Sequence, residues 1–452
     1  MAGASDKARF YLEQSVPELQ ELERKQIFSK TEITAITKKR SDFEHKLNAR
    51  GSYPADYARY AEYEMNLEAL RRKRIKRLGI KGATKHVGQR RIFFILDRAT
   101  RKFHGDVGLW MQYIEYAKKE KSYKKLSQIL SSVLRMHPTK PELWLYAAQS
   151  AIDLEADMTA ARGYMQRGLR FCKNSKTLWL EYAKLEMIYI AKIAARRTIL
   201  GLDQELQRKA EGPSLDDHDA DMLALPEITA EDIDPSLRKD NDLDQLARQN
   251  LESMPAFTGA IPMAVFDTGM KQFQDDDTVG EMFFNMFAEF EKLPCLPTIL
   301  QHVVDRMLAH TPLSPSTLTC YCRQPIVGVD VVSADFPAAL GVSIERLREA
   351  SPKATNQARF AEKSLGWLLP PLAVEELDTN IRKVIAVVVR QSIRSIGGEG
   401  AELNAEKVAA LGDKLHGAGL QEDAMRLLSK GIELYGSHDG LLAIQDKIQQ
   451  SQ

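Results

Sequence analysis

The sequence is poor in cysteine, with Cys172, Cys295, Cys320 and Cys322 its only four in 452 residues. So few thiols in so long a chain make no disulfide framework, and no Asn-x-Ser/Thr sequon occurs, so a reducing, intracellular compartment is the expectation. No run approaches the roughly eighteen apolar residues of a membrane span, and the opening MAGASDKARF has no apolar core of a signal peptide. The expectation is a chain neither secreted nor inserted in a membrane. Charge of one sign is lacking too. With 63 Lys and Arg against 62 Asp and Glu the net charge is +1, so any attraction to nucleic acid must be local. Catalytic signatures are missing as well: no Gly-x-x-x-x-Gly-Lys-Ser/Thr loop, no His-Glu-x-x-His, no Gly-x-Ser-x-Gly elbow. Cys320 and Cys322 have one residue between them and His302 and His310 upstream, whereas zinc sites space cysteines by two to four. His86, His104 and His137 read as surface or packing residues. No catalytic residue, metal, cofactor or small-molecule substrate is expected.

What the chain does have is a period. Trp110, Trp144 and Trp179 stand 34 and 35 residues apart, a spacing typical of helical repeat arrays. Eighteen, fourteen and eleven residues before them lie Ile92, Leu96 and Ala99, then Leu126, Leu130 and Val133, then Ala161, Met165 and Gly168. Steps of four and three trace one helical stripe. Tyr113 and Tyr116 after Trp110, and Tyr182 and Leu185 after Trp179, make a second. Each repeat is therefore two antiparallel helices. Phe284, with Phe266, Met270 and Phe273 behind it, continues the register, as does Leu318 with Leu300, Val304 and Met307. Tyr57, Tyr60 and Tyr63 imitate the aromatic helix upstream, and Ala424, Leu428 and Gly431 the other helix near the C-terminus. All these positions are expected to be packed between neighbouring helices.

The predicted architecture is an all-α solenoid of helix-turn-helix repeats in six parts. These are an N-terminal helical segment (1–52), a first block of repeats (53–200), an acidic linker or insertion (201–258), a central block (259–325), an irregular segment plus helices (326–400) and a capping helical pair (401–452). Residues 211–244, EGPSLDDHDADMLALPEITAEDIDPSLRKDNDLD, are dense in Asp and Glu and carry three prolines, the composition of a linker. Residues 323–352 are read as irregular. DTNIRKVIAVVVRQSIRSI is read as one buried helix, capped by Gly397 and Gly398.

One charged cluster stands out, LEALRRKRIKRLGIKGATKHVGQRR at 67–91. On a helix Leu67, Leu70, Ile75 and Leu78 share a face, leaving Arg71, Arg72, Lys73, Arg74, Lys76 and Arg77 as a broad cationic surface, joined downstream by Lys81, Lys85, Arg90 and Arg91. Such a surface suits phosphate backbones, with release of counterions, or an acidic protein. Charge alone does not divide the two. The alternative is a solvated helix end, where Glu68 and Arg72 form an i,i+4 pair.

The alternation of a Trp/Tyr helix with a helix of small and apolar positions resembles the HAT (half-a-tetratricopeptide) repeat. More specifically, Phe10 to Glu13, Val16 to Glu18, Lys39 to Glu44 and Tyr60 to Leu78 resemble the N-terminus of the U3 small nucleolar RNA-associated protein 6 family. The resemblance extends over residues 8 to about 190; beyond 259 it is mostly repeat register, and the acidic insertion lies outside it. It implies a nuclear, nucleolar scaffold without catalytic residues, in the UTP-B subcomplex of the small-subunit processome. The implied partners are β-propeller subunits of that subcomplex, together with pre-ribosomal RNA and the U3 small nucleolar ribonucleoprotein, touched directly or indirectly. Repeats alone also fit a scaffold of pre-mRNA splicing or 3′-end processing, or a helical-repeat enzyme subunit.

Overall fold

The computed structural model describes residues 4–49, 51–80, 87–199, 258–372, 374, 376–396, 405–417, 419–435 and 438–450. Among them every regular element is helical. The acidic stretch 211–244 and the glycines 397 and 398 lie outside the described residues. The chain divides into two compact units, Met1–Ser150 and Ala151–Gln452, so the division falls within the first expected block of repeats and not at the insertion.

In the N-terminal unit the helices are α1 (Ala4–Glu13), α2 (Val16–Arg24), α3 (Lys30–Asn48), α4 (Pro54–Leu78), α5 (Val87–Lys102), α6 (Val107–Lys119), α7 (Tyr123–Met136) and α8 (Pro141–Glu155). Local chemistry sets their starts. Ser29 and Glu32 form a capping box before α3: the Glu32 N–H donates to Ser29 Oγ at 3.3 Å, and the Ser29 N–H to Glu32 Oε2 at 2.8 Å. Pro54 occupies the first turn of α4, where a missing N–H costs nothing, and Gly79 ends it at φ 66°. The predicted stripes are the buried ones: Ile92, Leu96 and Ala99 on α5, Leu126, Leu130 and Val133 on α7, and Trp110, Tyr113 and Tyr116 on α6.

The tryptophans have a second task that spacing does not reveal. Trp110 Nε1 donates to the His104 carbonyl at 3.0 Å and Trp144 Nε1 to the Pro138 carbonyl at 2.9 Å. Each indole thus pins the carbonyl six residues before it, inside the turn that feeds its own helix. The His104 carbonyl also accepts from His137 Nε2 at 2.8 Å, which ties one turn to the next.

The second unit holds α9 (Met158–Phe171), α10 (Lys176–Ile199), α11 (Ala260–Gln272), α12 (Asp277–Ala288), α13 (Leu296–His310), α14 (Pro315–Arg323), α15 (Phe336–Ala350), α16 (Gln357–Leu372), α17 (Thr379–Ile396), α18 (Ala405–Gly417), α19 (Gln421–Tyr435) and α20 (Asp439–Gln450). Trp179 repeats the indole device, donating to the Lys173 carbonyl at 3.0 Å. α10 packs directly on α11 although 60 residues separate them, so the hairpin pattern resumes where it was interrupted. Gly269 on α11 lies against Trp179 of α10 and Phe283 of α12, where a Cβ would make ordinary contacts at 3.5 and 3.4 Å.

Three expectations need correction. The stretch 323–352 is mostly helix: α15 buries Phe336, Leu340, Ile344 and Leu347, a stripe obscured by the β-branched run before it and by Gly341. α17 is buried on one face only, with Ile385, Val388, Val389 and Ile393 inside and Val384 and Val387 exposed. The C-terminal segment carries three helices where a pair was expected; α20 packs on both α18 and α19, and its apolar positions are too few to announce it.

Candidate binding surfaces of the N-terminal unit

The cationic run at the end of α4 is divided by its tertiary partners. Arg71 is buried, its Nε and Nη2 donating to Glu68 at 2.6 and 2.8 Å. Arg72 donates from Nε to Glu68 at 2.9 Å and from Nη2 to Glu120 at 2.8 Å. Arg74 forks onto Glu32 at 2.7 and 2.8 Å, reaches the Ile27 carbonyl at 3.1 Å and lies over the Phe28 ring at 4.7 Å. Arg72 ties α4 to the end of α6 and Arg74 ties it to the first turn of α3 and the segment before it, while Arg71 is held against Glu68 on α4 itself. Arg91, half-buried, donates to Glu18 at 2.9 Å. The broad six-residue face is therefore corrected to a narrow strip of Lys73, Lys76 and Arg77, exposed and without an ion pair among the described residues. Arg90 is exposed on α5, and Lys81 and Lys85 lie outside the described residues. The expected apolar face is corrected as well. Leu67 and Ile75 pack on Leu19, Leu22 and Phe28, whereas Leu70 and Leu78 are exposed.

The Arg74 guanidinium, helped by the Ser29 N–H, holds the Glu32 carboxyl down at about 2. An unfolded glutamate titrates near about 4.3, so this pair stabilises the fold above that pH and its contribution is lost as pH falls toward 2. Acid unfolding of Glu32→Gln should accordingly be shallower than wild type between those values. Superimposable acid limbs would mean that the pair contributes nothing.

Beneath the strip lies a core of charges that periodicity alone passes over. The stripe begun by Tyr57, Tyr60 and Ala61 continues through Glu64, Glu68 and Arg71, all buried. Arg40, 2 % exposed, donates from Nε and Nη2 to Glu64 at 2.7 and 2.8 Å and stands 3.7 Å from Glu18. Arg98 donates to both oxygens of Glu44 at 3.0 Å, and its guanidinium lies 4.1 Å from the centre of the Tyr11 ring. A Cβ at Gly88 would collide with the Glu68 carboxylate, so glycine is what lets α5 pass over it. Buried charge of this kind is tolerated only when paired in good geometry.

This network lines a cavity of about 410 Å³, with Tyr11, Glu18, Glu44, Tyr60, Arg91 and Phe94 on its walls. A second cavity, of about 470 Å³, opens between α5 and α7 over Trp110 and Tyr113, with Met136 at its edge. Between the two runs the outer edge of α5, Arg90, Phe94, Asp97 and Arg101, at steps of four, three and four. Grooves of mixed polarity flanking an exposed ridge suit an extended segment of another macromolecule, and they converge no nucleophile, base and oxyanion donor as chemistry requires. Downstream, Cys320 and Cys322 are both buried; burial pushes the Cys322 thiol up to about 12, and His302 is engaged by Asp267 at 3.0 Å.

Among the described residues the fold is all-helical, helical hairpins together with an ion-paired N-terminal module. Residues 12–94, which span that module, match the model of the family described as U3 small nucleolar RNA-associated protein 6. The U3 small nucleolar RNA-associated protein 6 of Schizosaccharomyces pombe is 38% identical over 237 residues, covering 51% of this chain and 49% of that protein. The mouse and human homologues are 34% and 35% identical over 47% and 40% of this chain, and over 35% and 31% of their own lengths. The match thus spans half or less of each relative. Over these residues the chain is similar to the U3 small nucleolar RNA-associated protein 6 family.

Proposed function

We propose that this chain is a non-enzymatic scaffold of the small-subunit processome, a HAT-repeat subunit of UTP-B that acts in the nucleolus in early processing of small-subunit ribosomal RNA. Its relatives are named for association with U3 small nucleolar RNA, and among the described residues the two grooves beside α5 offer room for an extended partner. The grooves beside α5 take extended segments of the β-propeller subunits. The strip Lys73, Lys76 and Arg77 faces the RNA of the assembly, the pre-ribosomal RNA or the U3 ribonucleoprotein. The observation that carries this reading is the exposure of those three cations, unneutralised among the described residues, on the module that the family model matches.

Reversing all three to Glu should leave the melting temperature almost unchanged, because none of them staples a helix. The RNA affinity of the protein should become less salt-dependent, its log–log slope falling by up to about 2–3 for three lost phosphate contacts. Recruitment to pre-ribosomal particles should drop with it. Unchanged affinity and recruitment would make the strip a solvated helix end. Co-purification with splicing or 3′-end factors, and no pre-ribosomal proteins, would move the scaffold to the other RNA-processing assembly.

A further inference from the structure

The turn between α6 and α7 concentrates positive charge away from the Lys73, Lys76 and Arg77 strip. Residues 118–125 read KKEKSYKK, and their one carboxylate, Glu120, is already taken by Arg72 and Gln89. Lys118, Lys119, Lys121, Lys124 and Lys125 have no ion pair among the described residues. Two of them stand where cations are least welcome. Lys124 and Lys125 lie in the first turn of α7, at the positive end of its dipole, a turn with no acidic residue and with no side-chain cap from Ser122. The start of α7 therefore presents lysines together with N–H groups that no side chain caps, and it calls for negative charge from outside.

Lys125 also lines the groove between α5 and α7. On the floor of that groove Tyr113 is 1 % exposed, and its hydroxyl has no hydrogen-bond partner. Burial, with Asp97 beside it, holds the phenol above the ordinary tyrosine range, so it keeps a proton to donate. The polar groups around it are occupied: Trp110 Nε1 donates to the His104 carbonyl, Thr100 Oγ1 to the Leu96 and Asp97 carbonyls at 3.1 Å, and Arg101 pairs with Asp97 at 2.8 Å. A buried hydroxyl left over among satisfied neighbours marks a place for an acceptor. Toward the end of α7 the groove turns apolar, with Ile129 on its wall and Met136 52 % exposed. Lys125 and Met136 lie about 16 Å apart at 1.5 Å per residue of helix, the reach of about five residues of extended chain. A nucleic-acid backbone answers the lysines, but Asp97 on the groove wall repels it, Trp110 is too buried for a base to stack on it, and Met136 is left bare.

We infer that the α5–α7 groove docks an extended acidic segment of another protein, with carboxylates at Lys124 and Lys125, an oxygen accepting from the Tyr113 hydroxyl, and an apolar side chain about five residues further along against Met136. This deepens the scaffold reading and rests on it for the presence of a protein partner. Fluorescence anisotropy of the full chain with the peptide fluorescein-Gly-Asp-Glu-Asp-Ser-Gly-Thr-Leu-Phe-Gly tests it. Tyr113→Phe removes a hydroxyl that bonds nothing in the free protein, so it should melt with wild type yet bind about fivefold more weakly, the loss of one net hydrogen bond. Lys124→Gln with Lys125→Gln should weaken binding by up to about tenfold, as two partly exposed charge contacts would, and flatten its salt dependence. Deleting Ser-Gly-Thr from the peptide, so that it no longer spans both ends of the groove, should weaken binding to wild type. No binding at about 1 mM peptide, a free energy near −4 kcal/mol, would overturn the inference, as would binding that Tyr113→Phe or the lysine variant leaves unchanged. A labelled decauridylate that binds these lysines while the peptide does not would give them to RNA and overturn it too. The assay involves no pre-ribosomal particle, so its failure leaves the scaffold reading to be judged by recruitment and co-purification.

Discussion

Replacing Arg40 by Met should destabilise the N-terminal unit by roughly 3–5 kcal/mol, because Glu64 would be left charged and buried without its partner. Glu64 is 2 % exposed, so water does not reach it in compensation, and Glu18 would lose part of its neutralisation as well. Glu64→Gln should cost a comparable amount by the reverse argument, leaving a buried guanidinium with a bond to Glu18 too long to replace the bidentate pair. The informative variant is the double one. Arg40→Met with Glu64→Leu removes both charges and fills the space with apolar atoms, and it should recover most of the loss. Urea unfolding of the four proteins gives the coupling directly. Single variants within about 0.5 kcal/mol of wild type, the range of ordinary surface substitutions, would show that α3 and α4 do not meet as described.

A buried pair of this kind contributes specificity of docking more than net stability. Apolar stripes let neighbouring helices slide by a turn at little cost, whereas a forked Arg–Glu contact is satisfied at one register. In the module matched by the family model, Arg40–Glu64, Arg74–Glu32 and Arg91–Glu18 each link different helices. They hold the cationic strip and the two grooves in a fixed relation, which a binding surface needs if its contacts are to be made together. The same arginines that resemble an RNA-binding run in one dimension thus build the platform on which Lys73, Lys76 and Arg77 stand.

The difference between the two readings of that run shows what a sequence carries. Helix existence and the inward faces were legible, because burial imposes a period on the side chains themselves: Ile92, Leu96 and Ala99 are spaced as they are packed. The fate of Arg71, Arg72 and Arg74 was partly legible. Glu64, Glu68 and Arg71 extend the stripe of Tyr57, Tyr60 and Ala61, and a charge on an apolar stripe signals a buried partner. Who that partner is cannot be read from spacing, since Glu32 and Glu120 lie 42 and 48 residues away from the arginines they hold. α15 was missed because a helix after a run of valines and a glycine competes with strand and turn signals. The indole-to-carbonyl bonds left no trace, because a carbonyl is the same atom in every residue.

Those bonds make the second large effect. Trp144→Ala should cost roughly 3–5 kcal/mol, the range for deleting a buried aromatic side chain, and lower the melting temperature of the N-terminal unit by on the order of 10 °C. The indole is 4 % exposed, so almost all of its surface is packed, and its N–H holds the Pro138 carbonyl at 2.9 Å. Trp144→Phe separates the two contributions. A phenyl ring keeps much of the packing and loses the donor, so the lost indole-to-carbonyl bond in the α7–α8 turn should account for about 1 kcal/mol. Hydrogen exchange locates the rest: the Phe variant should loosen the turn around Pro138 while the core of α8 stays protected, whereas the Ala variant should expose both. Since Trp110 and Trp179 make the same bond across their own turns, the partition should recur at each of them. An Ala variant at Trp144 that melts within a degree or two of wild type would mean that the Trp does not seal its hairpin. The repeat register would then mark a sequence pattern with no packing behind it.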